Sequence, residues 1–174
     1  MKKRLLGSLL LLLLPLFTLS AQAGDGDTYH TKDRLFYITR SVNKNLVCYD
    51  ANLVNGKLEA DDPIKVYWIN REEHPGEREG LTYIQRKLAY GYKLISREGN
   101  NYNCSLSAYP KRLITVTQDA NGNYVCYITI NNERAILKSL YVKAHPKNSL
   151  KVEYVELRGI SLKTNQKITE RIKR

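Results

Sequence analysis

The feature that most constrains the fold of this chain is a succession of short β-favouring segments that continues from residue 35 almost to the end. Many of them alternate apolar with polar positions, are rich in Val, Ile, Tyr and Thr, and stop at turn residues such as Asn-Gly or Asn-Asn. This pattern is typical of antiparallel strands joined by tight turns. The predicted strands cover residues 35–39, 46–50, 64–69, 92–97, 102–108, 112–118, 124–130, 135–143, 150–162 and 166–172.

One segment between these strands has helical character. Thr82 and Gln85 have the spacing of a capping box, and Gly91 is well placed to end a helix. The residues between them predict one short helix over residues 83–90. Its apolar face would be formed by the side chains of Leu81, Ile84 and Leu88.

About ten strands and one helix favour an all-β domain, mainly antiparallel, built as a closed or nearly closed β-barrel of about 8–10 strands. A β-sandwich is the alternative, because a single sequence does not show whether a sheet closes. Within residues 150–162 the apolar phase shifts on either side of Gly159. This shift predicts β-bulges that bend the strand, as a barrel corner requires.

The first 23 residues have the three parts of a secretory signal peptide. A basic start at Met1–Arg4 precedes an apolar run over Leu5–Leu19, and Ala21–Ala23 supplies a small-x-small cleavage site. We therefore expect cleavage near Ala23-Gly24 and a protein located in the periplasm or secreted. Since no cysteine follows the apolar run, we expect no lipid anchor. No transmembrane segment is expected after cleavage. The predicted organisation is a signal peptide at 1–23, a flexible mature N-terminus at 24–33 and a single β-rich domain at 34–174.

The charge of the chain bears on its partners. The leader contains three basic residues and no acidic one, so its removal lowers the net charge from +11 to +8. A basic exported protein favours an anionic cell-envelope component as partner, allows peripheral membrane contact and makes nucleic acid a poor candidate. A solvated basic surface without any partner explains the same residues. The 13 tyrosines are similarly explained as half-buried strand residues.

Export also permits disulfides, and the chain has three cysteines. If the strand predicted at 112–118 pairs with both of its neighbours, Cys104 and Cys126 lie two strand spacings apart, about 9–10 Å. A disulfide needs Cα atoms within about 7 Å. We therefore predict that these two cysteines do not pair with each other and that all three are buried thiols. The sequence leaves open whether Cys48 pairs with either of them.

The usual catalytic and cofactor motifs are missing from the sequence. It has no phosphate-binding glycine loop, Cys-x-x-Cys, His-Glu-x-x-His or Gly-x-Ser-x-Gly pattern. No catalytic residue, metal ligand or cofactor is therefore predicted. A hydrolase that uses Cys48 or the loop of Glu72, Glu73 and His74 is kept as an alternative, although apolar neighbours of Cys48 would raise the pKa of its thiol.

Four stretches of the chain form a distinctive set. They are Arg40–Asn52, Val66–Trp68, Gln85–Tyr92, and Tyr154–Leu157 with Gly159. Together they resemble the bacterial exported proteins grouped as domain-of-unknown-function family 4833, and the resemblance extends from about Leu35 to Ile172. It implies a single exported domain, and it supplies no activity, substrate or catalytic residue.

These stretches also contain the candidate ligand-binding residues. Trp68 precedes a charged loop, and Tyr90 and Tyr92 flank the end of the predicted helix, so the three rings could meet at one end of a barrel. Asn43 and Asn45 could orient a ligand there. In the alternative interpretation the helix plugs that end and the rings pack against it, because small barrels are usually filled by side chains.

The sequence therefore favours a non-enzymatic binding module for a small ligand or an anionic envelope component. A protein–protein interaction or envelope assembly factor is the first alternative, and a hydrolase is the second. A cavity of several hundred cubic ångströms would favour ligand binding. A filled barrel with an exposed apolar patch would favour a protein partner.

Overall fold

The computed structural model describes residues 29–173. The predicted signal peptide and the first part of the predicted N-terminal segment lie outside this range. Its thirteen strands are β1 (Arg34–Arg40), β2 (Asn43–Ala51), β3 (Leu53–Val54), β4 (Lys57–Leu58), β5 (Ile64–Ile69), β6 (Arg78–Gly80), β7 (Tyr92–Glu98), β8 (Asn101–Leu106), β9 (Tyr109–Gln118), β10 (Tyr124–Ile130), β11 (Glu133–His145), β12 (Asn148–Ser161) and β13 (Lys167–Lys173).

The predicted all-β class is confirmed, and each of the ten predicted strands is present with boundaries that differ by a few residues. The hairpin of β3 and β4 and the short strand β6 were not predicted as strands. In the part of the chain that the structure describes, no helix has the length and apolarity to span a membrane.

Strand β11 organises the sheet. One of its edges pairs with β12, which in turn pairs with β13. Its other edge pairs with β10 near its start and with β1, in parallel, farther along. From β10 the sheet continues to β9, β8 and β7, and from β1 it continues to β2, β5 and β6.

These two branches curl toward each other and form a half-barrel that does not close fully, in agreement with the expected nearly closed barrel. Their facing sides form the core, in which the rings of Phe36 and Tyr49 stack at 4.2 Å between centroids. The hydroxyl of Tyr92 on β7 bridges toward the other branch, because it accepts a hydrogen bond from the backbone N–H of Ile64 (3.0 Å) and donates one to Asp62.

A bulge predicted within residues 150–162 is present at Glu153, whereas beside Gly159 the extra residue is Lys138 of β11 and not a residue of β12. The β11–β12 register shifts between Leu137 and Ser139 and again between Lys143 and His145. Beside the first shift, Gly159 lies so close to β11 that a Cβ atom there would be 2.6 Å from the backbone oxygen of Ile136. The lack of a side chain therefore allows the close approach at this bend.

The predicted helix is present over residues 83–90, but in two parts. An α-helical turn at Tyr83–Gln85 is followed by a π-helical turn at Arg86–Tyr90. The predicted capping box is confirmed, with Thr82 and Gln85 bonded reciprocally. The segment ends at Gly91, whose N–H donates to the oxygen of Arg86 (3.0 Å). A Cβ at this position would lie 2.1 Å from that same oxygen.

The cysteine prediction is confirmed as well. Strand β9 lies between β8 and β10, so Cys104 pairs with Ile114 and Cys126 with Val116. All three cysteines of the chain are buried free thiols. Burial raises the pKa of Cys48 to about 11 and that of Cys104 to about 12.

Many of the tyrosines stand on strands beneath basic side chains. The guanidinium of Arg171 lies 4.3 Å from the ring centroid of Tyr154, and that of Arg134 lies 4.8 Å from that of Tyr127. Similar pairs join Arg97 to Tyr102 and other arginines to neighbouring rings. Cation–π contact thus accounts for part of the basic surface without a partner molecule.

Candidate functional site

A cavity of about 560 Å³ lies beneath the helical segment, at one end of the half-barrel. Its walls come from β1, β5, the strands from β8 to β13, and residues 84–90. Most of the side chains that line it are apolar, among them Ile38, Leu106, Leu140, Val142, Val155 and Ile172. The volume is within the range of about 300–1,000 Å³ that is typical of small-molecule sites.

The aromatic side of the cavity is formed by Trp68 and Tyr90. Their rings pack edge to face with centroids 5.1 Å apart. The indole N–H of Trp68 donates to Oε1 of Gln85 (3.3 Å), and the buried hydroxyl of Tyr49 donates to the backbone oxygen of Tyr90 (2.7 Å). These bonds connect the helical segment to strands β5 and β2.

The opposite side of the helical segment is attached to the turn between β8 and β9. The hydroxyl of Ser107 donates to the oxygen of Arg86 (3.0 Å), and its backbone N–H donates to the oxygen of Gly91 (2.9 Å). Ile84 and Leu88 line the cavity although each is 68% exposed. The segment therefore covers part of the cavity while two of its apolar side chains remain accessible.

Two arginines interrupt the apolar lining, and one of them is neutralised. Arg112 makes two parallel hydrogen bonds to the carboxylate of Glu170, at 2.8 and 2.9 Å. Glu170 also accepts a bond from the backbone N–H of Asn131 (2.7 Å). Arg112 and this backbone bond lower the pKa of Glu170, so the pair stays ionised and balanced in charge near neutral pH.

The other arginine, Arg40, keeps an unbalanced charge. It lies at the end of β1, is half-buried, and donates to the backbone oxygen of Ser149 (3.0 Å). Burial raises the pKa of the neighbouring Tyr90, and the guanidinium of Arg40 partly opposes this rise. Within residues 29–173, no carboxylate forms an ion pair with Arg40.

The five candidate residues from the sequence fall into separate places. Trp68 and Tyr90 meet at the cavity. Tyr92 instead connects β7 to Asp62 and Ile64, and Asn45 accepts a hydrogen bond from the backbone N–H of Arg71 (2.9 Å). Asn43 starts β2 directly opposite Arg40.

Asn43 has an unusual environment among these residues. Its Oδ1 is buried and has no hydrogen-bond partner among the described residues. Because it is the register partner of Arg40 across the β1–β2 turn, the two side chains share one face of the sheet. An amide with unused bonding capacity therefore lies beside the unbalanced charge.

Sequence reasoning did not select Arg40, Ile84 and Leu88 as site residues. Arg40 begins the first of the stretches that resemble the family, but no local feature distinguishes it from other arginines in the sequence. Ile84 and Leu88 were assigned to the inner face of a helix, and they are instead largely exposed at the cavity. Ile84 lies in the α-helical turn, and Leu88 lies in the π-helical turn that follows it.

The residues of the hydrolase alternative lie outside the cavity. Cys48 is fully buried in a small cluster with Leu46 and Ile69, and at a pKa of about 11 its thiol stays protonated at neutral pH. Glu72, Glu73 and His74 are exposed in the loop after β5. In the described part of the chain, no group of three His, Cys, Asp or Glu side chains is arranged to hold a metal ion.

Comparison with known proteins identifies the family. The model of a domain of unknown function, DUF4833, matches residues 36–171. The chain belongs to the DUF4833 family. No curated protein and no solved structure matches it. The DUF4833 match extends from β1 into β13 and thus includes the helical segment, Arg40, and almost the whole cavity wall.

Proposed function

We propose that this protein is a non-enzymatic binding module that holds a small, largely apolar molecule in the cavity beneath residues 83–90. The observation that supports the proposal is the cavity itself, about 560 Å³ and lined mostly by apolar side chains. The expected export to the periplasm or out of the cell belongs to the same proposal.

The lining has the chemistry that such binding needs. An apolar ligand gains about 25 cal/mol for each square ångström of apolar surface removed from water, on the ligand as well as on the protein. Exposed Ile84 and Leu88 would add to that area when a ligand reaches them. The edge-to-face pair of Trp68 and Tyr90 offers a rigid aromatic wall with little side-chain entropy left to lose.

The cavity also favours ligand binding over the two alternative functions, a hydrolase and an envelope assembly factor. A small barrel that serves only as a scaffold fills its interior with side chains, whereas this one keeps a large space at one end. A nucleophilic role for Cys48 is disfavoured because a fully buried, protonated thiol is out of reach of a substrate. Ligand binding therefore explains more of the structure than a hydrolase or an assembly factor does.

A neutral fluorescent probe, N-phenyl-1-naphthylamine, tests the proposal. Trp68 is the only tryptophan of the chain and lines the cavity, so bound probe should quench its emission by energy transfer. Ala108→Phe places a ring at the cavity wall, and Ala120→Phe makes the same change at an exposed loop position away from it. We expect the probe to bind the wild type and Ala120→Phe equally, and Ala108→Phe about tenfold more weakly, an energy of about 1.4 kcal/mol.

Two results would contradict the proposal. One is a wild-type protein that neither binds the probe nor changes its Trp68 emission. The other is equal binding by all three proteins, which would place the probe elsewhere. Circular dichroism of both variants checks that they retain the fold.

A further inference from the structure

The position of Arg40 indicates the charge of the ligand that the cavity would bind. Of the two arginines in the cavity lining, Arg112 is balanced by two hydrogen bonds to Glu170, whereas Arg40 bonds only neutral groups, the backbone oxygen of Ser149 and the hydroxyl of Tyr90. Arg40 is half-buried beside an apolar space, and no carboxylate among the described residues balances its charge. An anion at that place would balance it.

We propose that the ligand is an anionic amphiphile, with its apolar chain in the cavity and a carboxylate or phosphate-monoester head group bound by Arg40. This assignment rests on the proposed function, since it requires a ligand in the cavity. It adds the charge of the head group and the residue that recognises it.

The geometry of the backbone supports Arg40 as the recognition residue. Arg40 pairs with Asn43 on β2 and, in parallel, with Val142 on β11, and Val142 itself lines the cavity. Paired residues present their side chains on the same face of a sheet, so Arg40 and Asn43 stand together at the border of the apolar wall.

A guanidinium has five N–H donors in a planar fork that suits a carboxylate or a phosphate. Arg40 bonds the backbone oxygen of Ser149 and the hydroxyl of Tyr90. The remaining donors are sufficient for a bidentate contact with a head group. The net charge, +11 over the whole sequence and +8 without the predicted signal peptide, also favours the approach of an anion.

The test compares decanoate and decyl phosphate with decanol, which has a similar apolar chain and no charge. Each is titrated below its micelle concentration into the wild type, and binding is followed by the emission of Trp68. We expect the two anions to bind about tenfold or more tightly than decanol, because only they balance the charge of Arg40 and offer two oxygens to its N–H donors. The tighter of the two anions identifies the head group.

Arg40→Gln keeps a donor for Ser149 and removes the charge. It should lose this preference for the anions while its affinity for decanol stays within about twofold of the wild type. Arg40→Lys should restore part of the preference. Arg97→Gln is the matched control, because Arg97 also bonds a backbone carbonyl and lies against a tyrosine ring, 5.0 Å from the centroid of Tyr102, but it does not line the cavity.

The outcomes separate the two proposals. If decanol, both anions and the neutral probe all fail to bind, the proposed function is wrong. If decanol binds as tightly as the anions, or if Arg40→Gln retains the preference, the cavity binds ligands but the assignment of an anionic head group to Arg40 is wrong. A preference lost equally in Arg97→Gln would show a general charge effect and would likewise overturn the assignment.

Discussion

At Gly159, the space for a single carbon atom determines how two strands can pack. A Cβ there would lie 2.6 Å from the backbone oxygen of Ile136 and 2.8 Å from Cδ1 of Ile130. The oxygen belongs to the β11 backbone, which cannot move aside without disturbing its pairing with β10 and β12. We expect Gly159→Ala to lower the free energy of unfolding by about 1–3 kcal/mol.

Urea denaturation measures this change, and Gly80→Ala on β6 is the matched control. A Cβ at Gly80 has no neighbour within 4 Å, so that variant should stay within about 0.5 kcal/mol of the wild type. An unchanged urea midpoint in Gly159→Ala would show that β11 and β12 can separate at the bend without cost. The slope of the transition should be the same in all three proteins.

Single residues also show which parts of the candidate site a sequence can reveal. Trp68 and Tyr90 stand next to turn and helix signals in the sequence, and this position predicts that their rings lie close together. The structure agrees, since the ring centroids are 5.1 Å apart. The sequence does not indicate the proposed role of Arg40, because that role depends on residues that only the fold brings near it. Whether an arginine is neutralised depends on a partner such as Glu170, which lies 58 positions away from Arg112 in the sequence.

At the scale of the elements, alternation and turn residues were sufficient for most strands. Asn131 and Asn132 both have positive φ, as the tight turn between β10 and β11 requires, and Asn55 with Gly56 forms the same kind of turn. The strands of that second hairpin contain two residues each, which is too short for any periodicity. The residues of β6 are exposed, and Arg78 and Glu79 are charged, so the sequence has no apolar alternation there. Only the pairing with β5 shows that this segment is a strand.

The helical segment is attached by hydrogen bonds more than by burial. Only Tyr90 of its residues is buried, so we expect local opening at a lower free energy than unfolding of the sheet. Thr82→Ala removes the capping box and should raise the hydrogen-exchange rates of the amides of Arg86 and Gly91 about fivefold, the equivalent of about 1 kcal/mol.

Hydrogen exchange followed by mass spectrometry resolves this segment from the strands. Thr164→Ala, in the turn between β12 and β13, removes a similar hydroxyl that accepts a weaker bond from the backbone N–H of Gln166 (3.4 Å), and it should leave residues 82–91 unchanged. If Thr82→Ala speeds exchange equally in β8 to β11, the segment unfolds only with the whole domain. That result would exclude its independent opening over the cavity.

For the whole molecule, the sequence indicates the ten longer strands but not their arrangement in space. The parallel pairing of β1 with β11 joins residues about 100 positions apart, and it divides the sheet into the two branches that surround the cavity. No local pattern predicts such a pairing, because neither strand carries a signal for its partner. The degree of closure, and hence the cavity, follows from this long-range contact.

The titratable groups of the domain predict how its stability depends on pH. Arg171 and Arg158 lower the pKa of Glu156, and Arg112 lowers that of Glu170, from an ordinary value of 4.5. Below that value the unfolded chain takes up protons before the folded protein does, so stability should be lost as the pH falls through the folded pKa values. Glu156→Gln should lose less stability than the wild type as the pH falls. Its loss of stability at alkaline pH should equal that of the wild type.

On the alkaline side the buried groups act in the opposite direction. Burial raises the pKa of Cys48 to about 11 and that of Cys104 to about 12, from an ordinary value of 9.0, and it also raises those of Tyr49 and Tyr67. Above about pH 9 the unfolded chain therefore releases protons that the folded protein retains, and the unfolded state is favoured. Urea midpoints measured from pH 3 to pH 11 should form a plateau between about pH 5 and pH 9 and fall on both sides. A midpoint that stays constant from pH 9 to pH 11 would mean that water reaches these thiols and phenols in the folded protein.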